Sequence, residues 1–145
     1  MAEAEFDSFI ALSAAEYALE RERAGESHER AVRTAREQLA ELLPAGRLSE
    51  GHRFFTARQE HEEIGHLWLD TSVPTWFVYD VAVLPDRRGR GLGRAIMRAA
   101  ERAAAAEGAL GIGLNVFAHN VVARRLYDGL GYRVTEDHYL RAVGP

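Results

Sequence analysis

The sequence predicts a single α/β domain with a mixed central β-sheet and flanking helices. Three observations carry that reading. Apolar residues recur at helical spacing over the first 43 positions, then give way to short runs rich in aromatic and β-branched residues. Between Thr75 and Phe117 a strand, a long amphipathic helix and a second apolar strand follow one another, the pattern of a right-handed crossover joining parallel strands. At 145 residues, 47% of them apolar, the chain can bury one core of ordinary size.

The elements follow in order. From Glu3 to about Ala24, Phe6, Phe9, Ile10 and Tyr17 share helical spacing, and Gly25 stops that helix. Ser27 is an N-cap for the next, where Val32, Ala35, Leu39, Leu42 and Leu43 form one stripe. "HRFFTARQ" (52–59) and "EIGHLWLD" (63–70) flank a polar turn, "EHE", and read as a hairpin. "TWFVYDVAVL" (75–84) reads as a central strand ended by Pro85. Arg90 to Glu107 reads as a helix stopped by Gly108. "LGIGLNVF" (110–117) is another apolar strand, "NVVARRLYDGLG" (120–131) a short helix, and "YRVTED" and "HYLRAV" two last strands. The expected order is α-α-β-β-β-α-β-α-β-β, one domain over 1–145.

Composition removes several classes. With no cysteine, neither a disulfide frame nor a thiolate metal site can form. The six histidines contain no i, i+4 pair with a partnering glutamate, so no metal is expected. Apolar runs fall far short of a membrane span and no signal peptide opens the chain, which predicts a cytoplasmic protein without membrane attachment. Residues 1–70 hold 15 acids and 8 arginines, net −7, whereas residues 71–145 hold 7 acids and 10 arginines, net +3. That polarity predicts an anionic ligand in the C-terminal half and a cationic one toward the N-terminal half. An overall charge of −4, without basic or aromatic stripes elsewhere, speaks against nucleic acid.

Residues 86–103, "DRRGRGLGRAIMRAAERA", carry the chemistry. Glycines at 89, 91 and 93 permit positive φ and close approach of a ligand. The helix that follows presents free N–H groups and the positive end of its dipole, and Arg87, Arg88, Arg90 and Arg94 add formal charge. This is an anion site suited to phosphate or pyrophosphate. A P-loop is excluded because the chain has no lysine, and the spacing does not fit the dinucleotide fingerprint. On the later helix, Asn120, Ala123, Arg124 and Tyr127 share one face at i, i+3, i+4 and i+7, while Val122, Leu126 and Leu130 share a face expected to meet the core.

Arg88-x-x-Gly91-x-Gly93 after a strand ending "VAVLP" resembles the acyl-CoA pyrophosphate loop of the GNAT superfamily of N-acyltransferases. Asn120-x-x-Ala123-x-x-Leu126-Tyr127-x-x-x-Gly131-Tyr132 resembles its second signature. The resemblance implies acetyl-CoA, or another acyl-CoA, as co-substrate and a primary amine of a small molecule or peptide as acceptor. It places Arg88, Gly89, Arg90, Gly91, Leu92, Gly93 and Arg94 at the pyrophosphate. It sets Asn120 against the pantetheine arm, with Ala123 and Arg124 on the same face, and the backbone of Val81, Ala82 and Val83 at the acyl carbonyl. Tyr127 falls near the thioester sulfur, where a phenol of pKa about 10 can hydrogen-bond a thiolate of pKa about 8.5. The resemblance also implies a wedge between the strands at 75–84 and 110–117, and homodimers are common in such folds. Such folds usually begin with an edge strand, so that strand is either missing here or lies upstream of Met1.

The base is open at this level. Many relatives place a carboxylate where this chain has Ala82. Asp80, two residues earlier on the same strand face, ranks first, ahead of His119, Glu63 and a water chain. The competing expectation is a non-catalytic acyl-CoA-binding or sensor domain.

Overall fold

A four-stranded sheet in the order β1-β2-β3-β4 organises the chain. The computed structural model describes residues 1–137, 141 and 143. Helices α1 (Glu3–Arg23) and α2 (His28–Leu42) come first, then β1 (His52–Gln59), β2 (Glu62–Asp70) and β3 (Thr75–Val83). Helix α3 (Leu92–Ala106), β4 (Gly111–Leu114) and α4 (Val121–Leu130) follow. Pairing is antiparallel for β1–β2 and β2–β3 and parallel for β3–β4, so the sheet is mixed and the α3 crossover joins parallel strands as expected.

Each face of the sheet has its own core. Leu67, Leu69, Trp76 and Val78 pack with Ile96, Met97, Ala100 and Ala104 of α3 and with Tyr127 and Leu130 of α4. On the opposite face Phe54 and Trp68 meet Phe6 and Phe9 of α1 and Leu43. The Phe6 and Phe54 rings meet edge to face at 4.9 Å, and Trp68 stacks on Tyr79 at 4.8 Å. Burial of each large side chain contributes about 1.5–3 kcal/mol.

Two irregularities in β3 shape the site. Trp68 pairs with Asp80 but Leu69 pairs with Val78, so Tyr79 is an extra residue in the strand. This bulge resets the alternation. Trp76 and Val78 before it, and Val81 and Val83 after it, all join the α3-side core, while Asp80 lies beside Trp68 in the register, toward α1. Second, β3 and β4 pair only from Thr75–Gly111 to Val78–Leu114, so β3 runs on through Val83 without a β4 partner. The implied wedge between the strands is therefore present in the backbone.

Helix α1 bridges that wedge. Phe6 and Phe9 anchor one part of the helix on Phe54 and Trp68. Further along, Tyr17 packs on Phe117 and Glu20 receives a 2.6 Å contact from His119 Nε2. Ser13 and Glu16 fall between these anchors.

Several boundaries differ from the sequence reading. The hairpin turn is Glu60–His61, both at positive φ, and Glu62 already belongs to β2. The third helix begins at Leu92, because Gly91 sits at φ 75° as its N-cap and cannot be helical. The fourth strand is only 111–114, and Leu110 is exposed. Residues 132–137 form no strand; they lie beyond Gly131, which ends α4 at φ 90°. The expected strand "HYLRAV" lies largely outside the described residues. Among the described residues no strand precedes α1, so that edge strand is absent from the described sheet. No described helix is long and apolar enough to cross a membrane.

Gly65 in β2 allows the close approach of β3 that holds Ala82. A Cβ there would lie 2.1 Å from the Ala82 carbonyl oxygen. Gly65→Ala is expected to destabilise the fold by about 1–3 kcal/mol, read as a lowered urea midpoint.

Candidate active site

The loop after β3 is built around two glycines. Gly89 and Gly91 have φ of 78° and 75°, and a Cβ on either would meet nothing within 4 Å. Their requirement is conformational, and the space above them is open. No side chain caps α3, unlike α2, capped by Ser27 Oγ, and α4, capped by Asn120 Oδ1. The first-turn amides of α3, at Leu92, Gly93 and Arg94, are thus left for a ligand, and uncapped amides at the helix's positive end favour an anion. A pyrophosphate fits this donor set.

The arginines of the loop divide by role. Arg87 is tied to Glu62 at the start of β2, so its charge is engaged, against the expectation that it joins the anion site. Arg88 Nε donates to the Val83 carbonyl at 3.0 Å and straps the loop to β3. Arg90 and Arg94 are exposed, with Arg94 reaching toward Gly129 of α4. Leu92 is buried, so only its backbone can serve a ligand. Gly93 sits against Leu126 and Val83, which a Cβ there would meet at ordinary van der Waals distance.

Helix α4 presents the second group. Asn120 Oδ1 accepts from the Ala123 amide at 3.1 Å, leaving its amide nitrogen for other partners. Ala123 and Tyr127 line the inner side, but Arg124 is exposed and reaches only the Ala118 carbonyl at 3.4 Å. The shared face at 120, 123, 124 and 127 is therefore split, with Arg124 outside it. Val122 is 82% exposed and does not join Leu126 and Leu130 at the core.

Tyr127 lies near enough to Asp80 to feel its charge. Burial pushes the Tyr127 phenol up to about 12, and the nearby Asp80 charge adds to the rise. Burial also raises Asp80, while Ser13 and the Val81 amide hold its charged form and limit the shift. Glu16 is raised by burial and by Asp80, and drawn back by His66 and Arg88. The other base candidates are elsewhere: His119 is engaged by Glu20, and Glu63 is exposed on β2. Ser13, Glu16 and His66 complete the cluster and were not singled out from sequence as site residues. The recurrence of Phe9, Ser13, Glu16 and Glu20 along one side of α1 was the available signal.

Comparison with known proteins agrees with this architecture. The description "Acetyltransferase (GNAT) family" matches residues 13–132, and the chain belongs to that family. It is 30% identical over 138 residues to the uncharacterized N-acetyltransferase YycN of Bacillus subtilis, covering 91% of this chain and 88% of that protein. It is 33% identical over 141 residues to the uncharacterized N-acetyltransferase YdgE of the same species, covering 93% and 90%. The YycN crystal structure superposes with a TM-score of 0.93 at 28% identity over 100% of this chain and 96% of that one. The aminoglycoside N-acetyltransferase AAC(6')-Iy in complex with CoA shares the fold, with a TM-score of 0.55 at 23% identity over 78% and 90%.

A raised folded-state pKa means that folded Asp80 binds its proton more tightly than unfolded Asp80. Its contribution to stability is lost as pH rises through the folded value. Asp80→Asn is expected to raise Tm at pH 8 by about 3 °C, with the difference from wild type shrinking as pH falls toward the ordinary carboxyl range. Thermal melts at several pH values check this.

Proposed function

We propose that the protein transfers an acetyl group from acetyl-CoA to a primary amine of a small molecule or peptide. The observation that carries this reading is the opening where β3 runs on without β4, beside the uncapped amides of α3, with a buried phenol at Tyr127 that feels the Asp80 charge. Family membership supports acetyl transfer, and the CoA held by the related aminoglycoside enzyme supports the co-substrate.

In this reading the amides of Gly89 to Gly93 and the arginines 90 and 94 bind the pyrophosphate. Asn120 and Ala123 face the pantetheine arm. The unpaired edge of β3 at Val81–Val83 offers fixed backbone donors to the carbonyl oxygen as negative charge develops on it. Asp80 removes a proton from the incoming ammonium. Tyr127 donates a hydrogen bond to the leaving sulfur. With its phenol near 12 and a thiol near 8.5, full transfer would cost about 5 kcal/mol. Tyr127 therefore steadies the thiolate while the proton shed by the attacking nitrogen reaches the sulfur.

Asp80 lies near enough to Glu16 to raise the Glu16 pKa, and the two make the acceptor side of the wedge acidic. This favours cationic amines. A buried acid at Asp80 whose charge reaches the buried Tyr127 phenol favours catalysis over a binding-only role.

Incubation with acetyl-CoA and a panel of amines is expected to release free thiol and acetylated amine; no turnover with any amine would overturn the reading. Tyr127→Phe is expected to lower kcat about 100-fold with CoA affinity within about twofold. A variant with unchanged kcat would favour the sensor alternative. Glu16→Gln is expected to raise KM for a cationic amine about fivefold at low salt, less at high salt, in steady-state assays.

A further inference from the structure

His66 stands in β2 opposite Ala82, on the sheet face that α1 covers. The residue is 6% exposed, and the Phe9 ring meets it edge-on at 4.5 Å. Its Nε2 is buried with no hydrogen-bond partner, yet lies 3.8 Å from Asp80 Oδ2. That separation is too long for a direct hydrogen bond. A buried nitrogen left in this way is costly, and such atoms in folded proteins call for an explanation. The sequence reading left His66 among six scattered histidines.

We propose that Asp80 and His66 form a buried dyad that accepts one proton from the acceptor ammonium, with His66 acting as a positioning residue through Asp80. This rests on the reading of Asp80 as the base. Before transfer the dyad is a carboxylate beside a neutral imidazole, with the ring proton on Nδ1 and Nε2 an acceptor. The ammonium N–H bond breaks, and its proton goes to the Asp80 carboxylate. The 3.8 Å gap then closes to a hydrogen bond between Oδ2 and Nε2, whichever atom keeps the proton. The charge on the dyad falls from one negative to none as the ammonium becomes a neutral amine, and discharging a buried ion pair relieves its desolvation cost. The proton leaves to solvent as the product departs, and the second proton shed by the nitrogen goes to the thiolate.

The groups around the dyad are consistent with this order. From α1, Glu16 stabilises a charged imidazole, as does Glu63 from β2 itself. Burial outweighs both and keeps the ring neutral at rest. Tyr127 from α4 responds to the Asp80 charge, Arg88 from the loop after β3 acts on Glu16, and β1 presents uncharged Thr56 opposite His66. Once the gap closes, Asp80 and His66 share one proton and titrate as a unit.

The test is the pH profile of kcat/KM for wild type and His66→Gln. Glutamine keeps a polar side chain of similar size but takes no proton in this range. The expected result is a kcat lowered at least tenfold, an acid limb moved by at least one pH unit and a KM for acetyl-CoA within twofold of wild type. Wild-type kcat with an unmoved acid limb would overturn the dyad. A ¹⁵N NMR titration of the wild-type imidazole supplies a readout independent of turnover. His66 is expected to titrate in one step in wild type and to shift that step in Asp80→Asn; an unchanged step would overturn the dyad even if His66→Gln fails to fold. Wild type that acetylates no amine would instead sink the functional reading, while the NMR step still reads the dyad.

Discussion

The structure depends on an interruption in backbone pairing. Parallel hydrogen bonding between β3 and β4 ends at Val78 and Leu114, while β3 continues for five more residues held only by β2. A sheet that zipped to its end would bury those backbone groups and leave no slot. Here the unpaired strand edge, the loop glycines and the first turn of α3 all border one opening. Helix α1 then spans it, fixed by Phe6 and Phe9 on one side and by Tyr17 and Glu20 on the other.

The bulge at Tyr79 gives the opening its charge. It keeps Val81 and Val83 on the core face and leaves Asp80 on the α1 side, beside Ser13 and 3.8 Å from His66. The cost is electrostatic: a carboxylate, a second carboxyl at Glu16 and an unpartnered imidazole share a poorly hydrated space.

Much of this was legible in the sequence. The period change from helical to strand spacing, Ser27 as a cap and the crossover from Thr75 to Phe117 all appear as expected. Gly89 and Gly91 take the positive φ that a glycine-rich anion loop requires. Local features were read less well. A bulge has no composition, so its effect on the facing of Asp80 was invisible. Helical spacing grouped Arg124 with Tyr127, yet the packing of α4 turns one outward and the other in. Ser13, Glu16 and His66 became site residues only when α1 was laid across β2 and β3, a contact between segments about 50 residues or more apart. Residues 132–137 had the alternating apolar pattern of a strand, but no hydrogen-bonded partner runs beside them in the described sheet.

A crystal structure with CoA bound tests the central claim most directly. The account predicts diphosphate oxygens within hydrogen-bond distance of the amides at Leu92, Gly93 and Arg94, and the sulfur between the β3 edge and the Tyr127 hydroxyl. Density for the cofactor elsewhere on the surface, or a wedge closed by continued β3–β4 pairing, would contradict it.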